Sequence, residues 1–233
     1  MSDRDVRTPT VAERASVFAA LGDPHRLAIV DALALTDLTP SDLVAMTGLS
    51  SNLLAHHLRL LADAGVVVIS RSEGDGRRRY VSVVPATLQG TNGRVSSVTG
   101  AVAFVCTHNS ARSQFASARF EQLTGEPASS AGTQPAAAVH PGAVAAATSF
   151  GLDLSGRVPR HYDTLGPCDI VISVCDRALE FGLPTHHRHL HWSIPDPGLA
   201  DDPSAFATSF AEIDRRLDRL LFSTGPNPEG VPA

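Results

Sequence analysis

The sequence predicts two domains of different class: a mainly α domain closed by a β-hairpin over residues 1–86, and an α/β domain with a parallel sheet over residues 101–222. Three observations carry this. The first half holds short runs with apolar residues three and four apart, followed by two alternating stretches around Glu73-Gly-Asp-Gly76. The second half alternates short apolar runs with helical patterns, the signature of strands joined by helical crossovers. Between them lies Thr87 to Gly100, small and polar and without periodicity, which reads as a linker. At 233 residues with 43% hydrophobic content, the chain is long enough for two small cores.

In the first half, helices are expected over Val11–Leu21, Arg26–Leu35, Ser41–Met46 and Ser51–Asp63. Gly22-Asp-Pro24, Thr36 to Pro40 and Gly48 separate them. Ser50 caps the fourth helix, whose apolar face is Leu54, Leu58 and Leu61. Its other face leaves Ser51, Asn52, His56 and Arg59 for solvent or DNA. Strands follow over Val66–Ser70 and Arg78–Val84, and the hairpin tip carries Arg77, Arg78 and Arg79, a basic cluster suited to phosphate contacts. Helix, turn, helix and basic hairpin describe a winged helix-turn-helix.

In the second half, residues 101–106 read as a buried strand and Ser113–Leu123 as a helix, so residues 107–112 form the loop between them. Strands are also expected over Ala128–Ala131, Asp169–Val174 and His189–Ser193, with helices over Pro141–Gly151 and Pro203–Phe222. The loop places Cys106 and Arg112 with five residues between them at a helix start. The backbone of Thr107, His108, Asn109, Ser110 and Ala111 can then form a nest for a tetrahedral anion, with Arg112 forking two of its oxygens and Cys106 facing the central atom. Cysteines in such fields ionise more readily than free thiols, which suits Cys106 to nucleophilic attack. Asn109 suits a left-handed turn, and the Ser113 hydroxyl can hydrogen-bond the sulfur. Pro195-Asp-Pro197 is a rigid turn after a strand, able to hold the Asp196 carboxylate over the anion site as a general acid.

Three widely spaced cysteines argue against a disulfide scaffold and for a reducing compartment. No apolar run reaches membrane-spanning length, and the first residues lack the plan of a signal peptide, so a cytoplasmic protein with no membrane partner is expected. A formal charge of −5 excludes a global basic field, leaving DNA contact to local clusters. His187, His189 and His191 fall on one strand face, but Arg188 interleaves them and no cysteine or carboxylate stands beside them; no metal and no bound cofactor are expected. His57 is read as a packed helix residue. The last residues, 223–233, are expected to be disordered.

Phe104-Val-Cys-Thr-His-Asn-Ser-Ala-Arg-Ser-Gln114 resembles the low-molecular-weight tyrosine phosphatase fold, and within it the arsenate reductases. The resemblance implies that Cys106 is the nucleophile, that Arg112 binds the oxyanion (arsenate or a phosphate-like ion), and that Asp196 is the acid. Phosphatases of this fold follow the Asp-Pro with tyrosines that line an aryl pocket; Gly198-Leu-Ala-Asp201 follows here, which favours a small inorganic oxyanion. Cys175 matches the first resolving cysteine of the reductases. The second resolving cysteine of thioredoxin-coupled members falls on Gly182, so the expected reductant is a low-molecular-weight thiol, glutathione or mycothiol, with a glutaredoxin- or mycoredoxin-type partner. Cys168 is expected to be structural, and Arg160 to add charge near the mouth of the site.

Phe18 to Leu27 and Leu49 to Gly65 resemble the ArsR/SmtB regulators, which bind operator DNA as dimers and release it on binding metal. The paired cysteines of arsenite-sensing members are absent from Leu38 to Val44, and Leu53 and Ala55 replace hydroxyl residues that face the groove. The expectation is therefore a thiol-dependent arsenate reductase fused to an ArsR-like regulator, acting as a homodimer on operator DNA. The alternatives are a phosphatase for a protein or small ester, and a repressor whose second domain senses an oxyanion.

Overall fold

The computed structural model describes residues 10–88, 100–183, 188–200, 202 and 204–222. Most of the expected linker, the C-terminal tail, His186 and His187 lie outside the described residues. The chain forms two compact units.

The first unit comprises residues up to Ala34, then Leu38–Ser70 and the segment from Arg79. Its helices are α1 (Val11–Leu21), α2 (Pro24–Ala32), α3 (Pro40–Thr47) and α4 (Ser51–Asp63). Each begins at a side-chain cap. Thr10 with Glu13 and Thr39 with Asp42 form capping boxes, Asp23 accepts from the N–H groups of His25 and Arg26, and Ser50 accepts from that of Leu53. Asp23 and Pro24 also explain why α2 starts earlier than apolar spacing alone suggests. Gly48 closes α3 with φ of 70°, a left-handed turn that aims the chain into α4. Strands β1 (Val67–Arg71) and β2 (Arg79–Val83) form a two-stranded sheet. Ile29, Leu43, Leu54, Leu61, Val66 and Val81 build one core. A 3-10 turn, Pro85–Leu88, takes in the first residues of the expected linker, because the Thr87 hydroxyl bonds the Gly65 carbonyl and Leu88 packs on this core.

The second unit comprises the C-terminal part of the chain together with Leu35–Asp37 and Arg71–Arg78. Its strands are β3 (Val102–Cys106), β4 (Ala128–Gly132), β5 (Ile170–Ser173) and β6 (Arg188–His191), in the order β4-β3-β5-β6, all parallel. The crossovers carry α5 (Arg112–Thr124), α6 (Pro141–Ala147) and α7 (Asp176–Glu180), and α8 (Ala205–Phe222) follows the last strand. Every residue of β3 and β5 is buried, as expected for central strands covered on both faces. The expected helix to Gly151 is α only as far as Ala147 and continues as a 3-10 turn, Thr148–Phe150. The expected His189–Ser193 strand pairs as Arg188–His191, since the chain leaves the sheet after His191 toward the Asp-Pro turn. β3, β5 and β6 all end at one edge of the sheet. The loops that follow them therefore meet at the carboxyl edge, where parallel sheets bind ligands.

A buried ion pair fixes the segment 35–37 to this unit. Asp37 accepts from Arg216 Nη1 at 2.7 Å and from the backbone N–H of Ser193 at 2.6 Å, and both side chains are buried. Asp37→Ala strands the Arg216 charge. A loss of about 3 kcal/mol is expected in urea unfolding, near the low end for a broken buried pair because Glu212 still bonds Arg216.

Candidate active site

Four outward-facing carbonyls shape the loop after β3. Those of Cys106, Thr107, His108 and Ser110 accept from the N–H groups of Thr133, Gln134, Ala136 and His140. A trans peptide points its N–H opposite to its carbonyl, so the N–H groups of Thr107, His108, Asn109 and Ala111 face the concave side. The Asn109 N–H donates to Cys106 Sγ at 3.2 Å. Gly132 makes the close approach possible, since a Cβ there would lie 2.6 Å from the Thr107 oxygen.

Asn109 sits at φ of 48°, the one left-handed non-glycine among the described residues. Its side chain holds the loop. Nδ2 donates to Ser113 Oγ at 2.8 Å, while Oδ1 accepts from Gln114 Nε2 at 3.1 Å and from the Arg160 backbone N–H at 2.9 Å. With its oxygen accepting from Asn109, Ser113 is left its hydroxyl proton for Cys106 Sγ, 3.0 Å away.

Arg112 is the first residue of α5 and is buried, which moves the expected helix start forward by one residue. Nη1 donates to the Ile194 carbonyl at 2.7 Å and Nη2 to Asp196 Oδ2 at 2.8 Å. The expected fork onto an anion is thus directed, in this state, at the Asp-Pro turn. Burial works against the Arg112 charge, but the flanking Cys175, Cys106, Asp196 and Glu73 outweigh it and hold the guanidinium protonated. Cys175 lies two residues beyond the end of β5, and its Sγ is 3.4 Å from Thr107 Oγ1. Burial pushes the Cys175 thiol up, and Cys106 adds to that effect while Arg112 opposes it.

The remaining expected residues divide. His108 is exposed, Ser110 is half-buried and Ala111 is the backbone residue before α5. Arg160 contributes chiefly through its backbone; its Nε donates to the Ser130 carbonyl. Cys168 is half-buried and raised by burial and by Asp169. His189 and His191 both contact Ser173 Oγ, at 3.2 and 2.8 Å, and burial brings His189 down to about 4. No group of three or more potential metal ligands occurs among the described residues.

In the first unit, Ser51, Asn52, His56 and Arg59 lie exposed along α4, with Arg59 Nη2 3.2 Å from His56 Nδ1. His57 faces inward and burial lowers it. Arg77, Arg78 and Arg79 are exposed, but Arg77 and Arg78 belong with the second unit. The hairpin tip turns its acidic and small residues, Ser72 to Asp75, toward α7 and the Asp-Pro turn.

Sequence reasoning missed Glu73. Its carboxylate accepts from the Asp196 N–H at 2.8 and 3.0 Å and lies 3.8 Å from Arg112 Nη1. Burial raises it, against the lowering effect of the Asp196 N–H and Arg112. Asp176 was missed too. Burial would raise it, but His191 and the Glu73 N–H bond it and bring it below the usual range. The conflict between Glu73 and a basic tip was the only available signal.

The profile of the low molecular weight phosphotyrosine protein phosphatase family matches residues 101–227, more than half of the chain. The chain belongs to that family. Residues 23–68 match the profile of the bacterial regulatory proteins of the arsR family, so a phosphatase-family domain follows an arsR-type helix-turn-helix. Among curated relatives, the arsenate reductase of Brevibacillus brevis is 34% identical over 123 residues, 50% of this chain and 90% of the relative. That of Halalkalibacterium halodurans is 33% identical over 104 residues, 42% and 74% of the two chains. The crystal structure of arsenate reductase from Archaeoglobus fulgidus is 31% identical, with a TM-score of 0.46, and spans 51% of this chain and 97% of its own. In this phosphatase-family domain the fold is the expected one, a parallel four-stranded sheet with its Cys-x5-Arg loop at the carboxyl edge.

Proposed function

We propose that the protein is a thiol-dependent arsenate reductase joined to an arsR-type DNA-binding domain. The observation that carries this reading is a second thiol at the anion loop: Cys175 contacts Thr107 of the loop and shares the Arg112 field with Cys106. Phosphate-ester hydrolysis needs no second thiol for turnover, whereas arsenate reduction does.

Cys106 Sγ attacks arsenic, an As–O bond breaks, and the oxygen leaves as water with protons delivered by Asp196 and solvent. The inward N–H groups and Arg112 stabilise the charge that develops on the remaining oxygens. Cys175, deprotonated as it attacks, then forms a disulfide with Cys106. The S–As electron pair stays with arsenic, which leaves as arsenite. Two molecules of a low-molecular-weight thiol, glutathione or mycothiol, reduce the disulfide and are themselves oxidised; a glutaredoxin- or mycoredoxin-type protein serves the mixed-disulfide stage. The exposed face of α4, with Ser51, Asn52, His56 and Arg59, contacts operator DNA in a homodimer.

Hydrolysis of a small phosphate ester is the second reading, favoured by Asp196, which in either chemistry would protonate the leaving oxygen. Parallel assays separate the two. The full chain is expected to release arsenite over repeated turnovers only when glutathione or mycothiol is supplied, with at most one equivalent released without it, and to turn over p-nitrophenyl phosphate slowly. Rapid ester turnover without arsenite release would reverse the assignment.

A further inference from the structure

Residues 71–78 are fitted to the catalytic elements rather than merely near them. The Glu73 N–H donates to Asp176 at 2.8 Å, and the Ser72 hydroxyl and the Asp75 N–H donate to Glu180 at 2.7 and 2.5 Å. Gly74 lies against the Glu180 carboxylate, which a Cβ at that position would displace. These contacts grip α7, the helix that begins immediately after Cys175. They also deliver Glu73 to the Asp196 N–H and to within 3.8 Å of Arg112. Glu73 lies outside the phosphatase-family match at 101–227, so the site acquires a charged residue that the family domain does not supply.

The charge balance gives this contact a consequence. The single positive charge of Arg112 already faces two carboxylates, those of Asp196 and Glu73. Both terminal nitrogens have partners, Nη1 the Ile194 carbonyl and Nη2 Asp196. An oxyanion entering the loop brings more negative charge to the same buried guanidinium and needs its donors. Glu73 is the flanking anion on a separate segment, held to α7 by two N–H groups, one hydroxyl and the Glu73 carbonyl, which accepts from Arg177 Nε at 3.3 Å, whereas Asp196 belongs to the turn that also supplies the Ile194 carbonyl.

We infer that Glu73 is an internal competitor of the oxyanion: it holds Arg112 in a resting arrangement, and oxyanion capture and docking of residues 71–78 exclude one another. The inference rests on reading the 106–112 loop as an oxyanion site. Glu73 thereby sets the affinity threshold of the enzyme.

Inorganic phosphate is the probe, titrated calorimetrically into the full chain. Glu73→Gln is expected to bind phosphate at least tenfold more tightly than wild type. Glu180→Ala, which loosens the segment from α7 instead of removing the competing charge, should shift affinity in the same direction. In wild type, phosphate should speed hydrogen exchange at the Glu73 and Asp75 amides. A residue that only supports the Asp-Pro turn would give the opposite sign or none, so unchanged or weaker binding by Glu73→Gln overturns the competition. Phosphate binding by neither wild type nor Glu73→Gln overturns the oxyanion site itself, and this inference with it.

Discussion

Cys106→Ser is expected to lose arsenate reduction and phosphate-ester turnover together, by about 10⁴-fold or more, because both reactions begin with attack by the same sulfur. The serine oxygen is shorter-reaching and holds its proton, and the groups that contact position 106, the Asn109 N–H and the Ser113 hydroxyl, include no base to remove it. Asn109 N–H and Ser113 Oγ, at 3.2 and 3.0 Å, are arranged to stabilise an anion on sulfur, not to accept a proton from oxygen. Binding should survive, since the inward N–H groups and Arg112 are untouched. The measurement is therefore paired: single-turnover arsenite formation and calorimetric phosphate binding on one preparation. Loss of turnover with phosphate affinity kept within a few-fold is the expected pair of results. Arsenate reduction at the wild-type rate would remove Cys106 from the mechanism.

Arg112→Lys is the second large effect. Lysine keeps the charge but not the planar fork, and an ammonium cannot reach the Ile194 carbonyl and Asp196 in the geometry now seen at 2.7 and 2.8 Å. kcat/KM for arsenate should fall by about 10²–10³-fold, the range for removing a transition-state donor from a buried site. Phosphate binding should weaken as well, opposite in sign to Glu73→Gln. The two substitutions thus act as internal controls for each other. Arg112→Lys with normal kcat/KM would mean that only the charge at this position matters.

Much of the site was legible before any coordinates. Cys106, Arg112 and Ser113 are close in sequence, and a strand followed by a helix leaves their loop few shapes. Asn109 could be assigned its left-handed turn because few side chains tolerate one. Element boundaries moved where local chemistry outweighed apolar spacing, as at Asp23-Pro24 and at Arg112, which the helix takes as its first residue. The hairpin tip was read from its three arginines as a phosphate-contacting cluster, yet its inward side is acidic. Charge counted along the chain does not reveal which residues turn toward a neighbour.

What the sequence determined by itself was local: two domains, the order of strands and helices, and a cysteine and an arginine on one loop at the mouth of a helix. These follow from periodicity, caps and short-range spacing, each of which spans a few residues. The tertiary structure alone decided how residues far apart share one field. It set Cys175 beside the loop, aimed Arg112 at Asp196 and Ile194, and brought Glu73 to the same guanidinium. The physical reason is that the carboxyl edge of a parallel sheet gathers loops from separate strands. Which groups meet there depends on strand order and docking, and neither is written in the spacing of any one segment.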